Sequence, residues 1–276
     1  MRNVLKTTTV IATAGLALTL AACGSGGSSS GDSDPNKALT VVASPTPHAQ
    51  ILQYVKDNLA AKAGLKLDIK VVNDYVTPNT SVQDGSADAN YFQHVPYLDE
   101  FNKKQGTSIT SVGTVHLEPL GLYSKKAKAV TELKDGAQVA VPNDATNEGR
   151  ALKLLADNGV ITLKSGAGTT ATVRDIATNP KNLKFKELEA AQLPRSLDDV
   201  DAAVINGNYA LDSGLKPAQD AVVLEKAEGN PYANILAVKK GKESDERVKK
   251  LAELLRSDEV KKYIQDTFQG SVIPAS

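Results

Sequence analysis

Short apolar runs separated by helix-length amphipathic stretches recur through the body of this chain, and that alternation confines it to α/β architectures. Residues 39–43 (LTVVA) read as a buried strand. A helix opens at Pro47, runs over 47–61 and ends at Gly64, following the preference for Pro at a helix start and Gly just past its end. Residues 65–72 (LKLDIKVV) alternate apolar and polar, the mark of a half-buried strand. A short helix around 79–83, a strand near 87–92 and a helix over 96–105 follow. Residues 109–123 carry no helical period and read as extended. Beyond them the pattern predicts strands at 138–141, 202–205 and 235–238, a helix at 147–158 closed by Gly159, and terminal helices at 245–255 and 258–268. Strands separated by helices predict α/β units with mostly parallel sheets. From Lys37 onward there are roughly 240 residues, enough for two lobes.

The N-terminus is of another kind. Arg2 and Lys6 precede an apolar stretch from Val10 to Leu20, and Leu20-Ala21-Ala22-Cys23 closes it. A charged start, a short apolar run and small residues before a cut define a secretory signal. The run is shorter than the ~20 apolar residues that a spanning helix needs. Leu-Ala-Ala-Cys resembles the bacterial lipobox, which predicts a lipoprotein signal peptide over 1–22 and a lipid on Cys23. Cys23 is the one cysteine in the chain, so no intramolecular disulfide framework accounts for it. Each buried acyl methylene contributes roughly 0.8 kcal/mol, so two or three chains hold a protein on a membrane. GSGGSSSGDSDPN then forms a flexible linker, 23–37, with a reach on the order of 20 Å. The expected location is the cell membrane, with the protein lipid-anchored on the extracytoplasmic face.

Charge excludes one class of partner. The chain has 32 basic and 32 acidic residues; without Arg2 and Lys6, 30 basic remain against 32 acidic. No basic patch of the kind nucleic acid requires is visible. Enzyme signatures are equally thin: no Gly-x-Ser-x-Gly elbow, no phosphate-binding loop ending in Lys-Ser/Thr and no His-Glu-x-x-His. His48, His94 and His116, with Glu118, have the chemistry for a zinc site. Histidines so far apart in sequence are more often locally bonded, so no metal and no cofactor is expected.

A richer constellation is aromatic and amide. Tyr75 follows a strand in VVNDYVTPN, and Tyr91, Phe92, His94 and Tyr97 crowd into NYFQHVPY where a strand gives way to a helix. Loops beyond the carboxyl ends of strands are where open α/β sheets bind ligands. Tyr, Phe and His together suit a small apolar or sulfur-bearing group, because thioethers contact ring edges favourably. In PNDATNEGR, Asn143, Asn147 and Arg150 stand between a strand and its following helix. Arg grips a carboxylate through two parallel bonds, and a helix N-terminus favours an anion. Asn147 also reads as a helix N-cap. Asn206 and Asn208, in VINGNYA, are either ligand-binding amides or turn residues.

NDYVTPN, DANYFQHVPYLDEF, GTVHLEPLGLYSKK, VPNDATNEGRAL, NPKNLKFKELEAAQLPRSLDD and AAVINGNYA resemble the NlpA/MetQ-type lipoproteins, the substrate-binding proteins of methionine ABC importers. The likeness runs from about residue 39 to 268. It implies a type II periplasmic-binding-protein fold, two α/β lobes joined by two crossover strands with the ligand in the cleft. The crossovers fall near 116–122 and 227–234, making lobe 1 discontinuous (38–117 and 230–276) around lobe 2 (118–229). By motif, the resemblance implies that Tyr75, Phe92, His94 and Tyr97 surround the thioether, Arg150 binds the carboxylate, and Asn147 and Asn206 bind the charged ends. It assigns no carboxylate to the ligand's ammonium. It further implies a monomer that captures L-methionine by closure and docks on an ABC permease and its ATPase, with no bond made or broken. The same fold can hold a Met-containing dipeptide, D-methionine or another apolar amino acid. Two further classes fit parts of the pattern: an extracytoplasmic enzyme with His94 as base, and a surface interaction lipoprotein without a small ligand.

Overall fold

Along each central strand the pleat deals alternate side chains to two different apolar clusters, which is why the strands read as nearly continuous apolar runs. The computed structural model describes residue 34 and residues 37–275. The signal segment 1–22, Cys23 and most of the linker lie outside the described residues. The first part of the chain contributes β1 (Leu39–Ala43), α1 (Gln50–Val55), β2 (Leu67–Val71), α2 (Thr77–Asp84), β3 (Ala89–His94), α3 (Val95–Gln105) and β4 (Ile109–Leu117). A central part follows with β5 (Gly121–Tyr123), β6 (Gln138–Pro142), α4 (Ala145–Asp157), β7 (Thr162–Leu163), β8 (Ile176–Thr178) and β9 (Lys184–Leu188). It continues with α5 (Leu193–Ser196), β10 (Ala202–Ile205), α6 (Gly207–Asp212), α7 (Pro217–Asp220) and β11 (Val223–Leu224). The chain closes with β12 (Asn234–Lys239), α8 (Glu246–Leu255), α9 (Asp258–Phe268) and β13 (Ile273–Pro274).

These strands form two main sheets, one per lobe. The first has the order β13-β4-β12-β3-β1-β2, and the second β11-β5-β10-β6-β9. In the first sheet Leu39, Val41 and Ala43 of β1, with Leu236 and Val238 of β12, face a core completed by α1, α8 and α9. Val42, Ile235 and Ala237 turn to the opposite face, against Val82 and Leu98. In the second sheet Val139, Val141, Ala202 and Val204 pack with Leu152 and Leu155 of α4. Ala140, Ala203 and Ile205 point the other way, toward Leu193 and Tyr209. Each sheet is thus covered on both faces, as α/β layering requires.

The sheets are mixed rather than mostly parallel, and the crossovers explain why. β1 pairs in parallel with β2 and β3, and β6 with β9 and β10. These strands end at the cleft, where the chain leaves them for helices. A strand arriving from the other lobe enters at that same edge and must run the opposite way. Accordingly β12 is antiparallel to both β3 and β4, and β5 is antiparallel to β10. The helix expected over 47–61 is regular α only from Gln50 to Val55, with π-type turns on either side. Asn79 lies within α2, which starts two residues earlier, with Pro78 in its first turn. At the end of α3, Gly106 takes φ +64°, a left-handed conformation that glycine adopts without a Cβ penalty. Among the described residues, no helix is long and apolar enough to cross a membrane.

Candidate functional site

The cleft is floored by the strand ends that meet there. His94 ends β3, Asn234 begins β12 beside it, and His116 of β4 lies opposite Asn234 on the other side. Across the cleft, β6 and β10 release the chain into α4 and α6. A cavity lies between. All seven residues expected at the ligand line it: Tyr75, Phe92, His94, Tyr97, Asn147, Arg150 and Asn206.

The lobe 1 wall is aromatic and its polar atoms are tied. The Tyr75 ring lies 5.8 Å from that of Phe92, 5.7 Å from Tyr97 and 5.1 Å from Tyr209. Tyr97 Oη donates to the Tyr75 carbonyl at 2.9 Å. His94 caps α3, its Nδ1 accepting from the Tyr97 N–H at 3.2 Å. That bond leaves Nε2 as the protonated nitrogen, which donates to Asn147 Oδ1 at 3.3 Å. Burial, with the Arg150 charge nearby, lowers the His94 pKa to about 3, so the ring is neutral at pH 7. Behind Phe92, Asn79, Asn90 and Gln93 exchange side-chain amide bonds of 2.6–3.0 Å. Buried polar groups paired this way fix the wall without an unsatisfied atom.

The lobe 2 wall is polar. Arg150, 4 % exposed, donates from Nε to Glu225 Oε1 at 3.0 Å and from Nη2 to the Glu118 carbonyl at 3.0 Å. Its guanidinium lies 4.3 Å from the centre of the Tyr232 ring, a cation–π arrangement. Burial pushes the Glu225 carboxyl up, but Arg150 outweighs it and holds the pKa below the ordinary value. Asn206 Nδ2 donates to Asn147 Oδ1 at 2.9 Å, and Tyr75 Oη donates across the cleft to Asn208 Oδ1 at 2.6 Å. Two buried atoms there have no partner: Asn206 Oδ1, an acceptor, and Asn208 Nδ2, a donor. A buried amide atom left unpaired costs about 1–3 kcal/mol, so a ligand bringing one donor and one acceptor gains by binding here.

Asn147 is not the N-cap of α4. Asp144 takes that position and accepts from the Asn147 N–H at 3.1 Å. Asn147 Nδ2 also donates to Asp144, at 2.9 Å, which turns Oδ1 to bridge His94 and Asn206. Asn143 is exposed and does not line the cavity, whereas Asn208 does.

The structure also brings in residues that sequence motifs did not mark for the ligand: Glu118, Gln93 and Asn234 line the cavity, and Glu225 and Tyr232 hold Arg150. Three of the four groups weighed for zinc come together, the ligand atoms of His48, His116 and Glu118 lying within 4.8 Å of one another. His94 stays apart. The three bond to one another, although His48 Nδ1 is buried without a partner. Glu118 Oε1 accepts from His116 Nε2 at 2.7 Å and lies 3.2 Å from His48 Nε2, which also contacts Asn234 Oδ1 at 3.0 Å. Tyr91 Oη bonds to His116 Nδ1, which leaves Nε2 to carry the proton toward the carboxylate. A hydrogen-bonded cluster accounts for this grouping, with Glu118 Oε1 as the shared acceptor.

Two α/β lobes, two crossovers and an enclosed cleft with one aromatic and one polar wall define a substrate-binding protein. The pattern of the NlpA lipoprotein family matches residues 39–276, and the chain belongs to that family. It is 41 % identical over 261 residues to the methionine-binding lipoprotein MetQ of Bacillus subtilis, covering 93 % of this chain and 94 % of that one. It is 44 % identical over 246 residues to the D-methionine-binding lipoprotein MetQ of Escherichia coli, covering 88 % and 89 %. A nutrient-binding protein of Burkholderia cenocepacia, solved bound to methionine, superposes with a TM-score of 0.84 at 48 % identity, over 87 % of this chain and 100 % of that one. The family is one of binding lipoproteins, which places this chain among transport components and not enzymes.

Proposed function

We propose that this chain is an extracytoplasmic lipoprotein, anchored through Cys23, that captures methionine by lobe closure and delivers it to an ABC permease with its ATPase. The observation that carries this reading is the unpartnered pair Asn206 Oδ1 and Asn208 Nδ2, set beside Arg150 and opposite a closed aromatic wall. An amino acid supplies the matching ends: an ammonium donor, a carboxylate acceptor and a side chain for Tyr75, Phe92 and Tyr97. Burying a methionine-sized side chain contributes roughly 1.5–3 kcal/mol. The polar end supplies the rest of the approximately −8 kcal/mol that micromolar binding takes.

Residues 38–117 and 230–276 form the lobe that presents the aromatic wall in this reading, and 118–229 the lobe that presents the polar one. Closure rotates one against the other about the two crossovers. The D-methionine-binding name of the Escherichia coli relative favours a second reading with the same site and the other stereoisomer.

A thermal-shift screen of free L- and D-amino acids and Met-containing dipeptides tests both. The largest shift with L-methionine, lost in Arg150→Ala, supports the main reading. A larger shift with D-methionine selects the second, and no shift with any of these ligands rejects both. Radiolabelled fatty acid incorporated by the wild type but not by Cys23→Ala tests the anchor.

A further inference from the structure

Most of the donors of Arg150 are spent within the chain. Nε donates to Glu225 Oε1 at 3.0 Å and to Oε2 at 3.2 Å, and Nη2 donates to Glu225 Oε2 at 2.5 Å. Nη2 also donates to the Glu118 carbonyl at 3.0 Å. A guanidinium carries five N–H donors, one on Nε and two on each Nη. These bonds use the Nε donor and both on Nη2, and none of them uses Nη1. The fork of two parallel bonds that suits a carboxylate therefore holds a carboxylate of the chain itself.

Glu225 is in turn built into the crossovers. It follows β11, which pairs with β5, and its backbone N–H donates to the Leu120 carbonyl at 2.9 Å. The Leu120 N–H returns a bond to Glu225 Oε2 at 3.1 Å. Leu120 stands between β4 and β5, on the first crossover, as Glu118 does. From the second crossover, the Tyr232 ring lies 4.3 Å from the guanidinium and 4.9 Å from the His94 ring of lobe 1. A ligand carboxylate could displace Glu225 only by leaving that charge, 15 % exposed, without its partner, which is costly. The less costly arrangement keeps the pair and offers the ligand Nη1.

We infer that Glu225 is a positioning residue: it keeps the Nε–Nη2 edge of Arg150 whether or not the site is occupied, so that the ligand's carboxylate is met by Nη1 of a guanidinium fixed to both crossovers. This rests on the methionine reading above and concerns how Arg150 is presented to that ligand.

A crystal structure of the full chain with L-methionine tests this in the wild type. Arg150 Nε and Nη2 should still bond to Glu225, with the carboxylate of methionine on Nη1. A methionine carboxylate on the Nε–Nη2 edge, with Glu225 displaced, overturns the proposal and leaves the methionine reading standing. An empty cleft together with no calorimetric binding of methionine removes that reading, and this proposal with it. Calorimetry adds a readout that a merely structural role would not move. It compares L-methionine with L-methioninol, which replaces the carboxylate by a hydroxymethyl group and keeps the ammonium and thioether. Glu225→Gln loses the charge that holds the guanidinium, and ordering one rotamer-rich side chain on binding costs roughly 2–13-fold in affinity. The variant, its fold checked by melting temperature, should weaken methionine by that factor and leave methioninol unchanged. Equal weakening of both overturns the proposal, and so does methionine bound as tightly as by the wild type or more tightly. If the variant does not fold, the wild-type complex decides alone.

Discussion

The two walls of the cleft solve opposite problems. On lobe 1, Tyr97 bonds to the Tyr75 carbonyl, His94 caps α3 and reaches Asn147, and the Asn79–Asn90–Gln93 amides pair with one another, so the polar atoms of the aromatic wall have partners. On lobe 2, Asn206 and Asn208 each keep one buried atom unpaired, and Arg150 leans on Glu225 and the Glu118 carbonyl. One wall offers fixed shape and the other offers unmet hydrogen bonds. Shape selects size and polarity of a side chain, while unmet bonds select the head group, because a ligand lacking the right donor leaves them unmet.

Acid should break the comparison most strongly, since the buried histidines all belong to lobe 1. His48, His94 and His116 have native pKa values of about 4, 3 and 3, against 6.5 when unfolded. A lowered histidine stabilises the native state while the unfolded one is also neutral, above pH 6.5, and loses that contribution as pH falls toward the native value. Each costs about 1.4 kcal/mol per pH unit in that window. The raised carboxyl of Glu118 acts in the opposite sense and offsets part of the loss. Stability measured by urea unfolding should therefore fall steeply between pH 6.5 and 4. A flat profile would show that these histidines are not buried and neutral.

Arg150→Ala should come next, weakening methionine binding about 100-fold or more by calorimetry. It removes charged hydrogen bonds of about 1.5–3 kcal/mol each and leaves the buried Glu225 unpaired. Phe92→Ala acts on the finished wall. It should cost about 1.5–3 kcal/mol, roughly 10–150-fold, and equally for any ligand with the same side chain. Tyr75→Phe deletes the bond from Tyr75 Oη to Asn208 Oδ1 across the cleft. A neutral bond is worth about 0.5–1.5 kcal/mol, so roughly 2–10-fold is expected. Asn143→Ala, at an exposed position outside the cavity, should leave the affinity unchanged. A large effect at Asn143 would mean that the polar wall extends beyond the residues described.

Sequence reading reached furthest where physics is local. LTVVA, QVAVP and AAVI announce strands buried on both faces, and α8 and α9 carry apolar stripes that end within a residue of where they were placed. The seven residues that line the cavity are legible because strand–loop–helix junctions expose them in compact motifs. What escaped has partners far away in the chain. β9 (KFKEL) is too polar to stand out, and the short pair β7–β8 has no apolar face of its own. Asn147 has the composition of a cap, but Asp144 stands three residues earlier and outcompetes it. Glu118, Asn234, Glu225 and Tyr232 belong to, or lean on, the two crossovers. Their meaning depends on which strands those crossovers insert between, and no window of sequence contains it.

The central claim is that this cleft holds the zwitterion of a thioether amino acid. Calorimetric titration of L-methionine into the full chain, freed of carried-over ligand by unfolding and refolding, addresses it most directly. One-to-one saturable binding at micromolar strength or tighter, at least tenfold weaker for leucine and lost in Arg150→Ala, is the predicted result. The absence of binding by L-methionine, D-methionine and Met-containing dipeptides alike would contradict it.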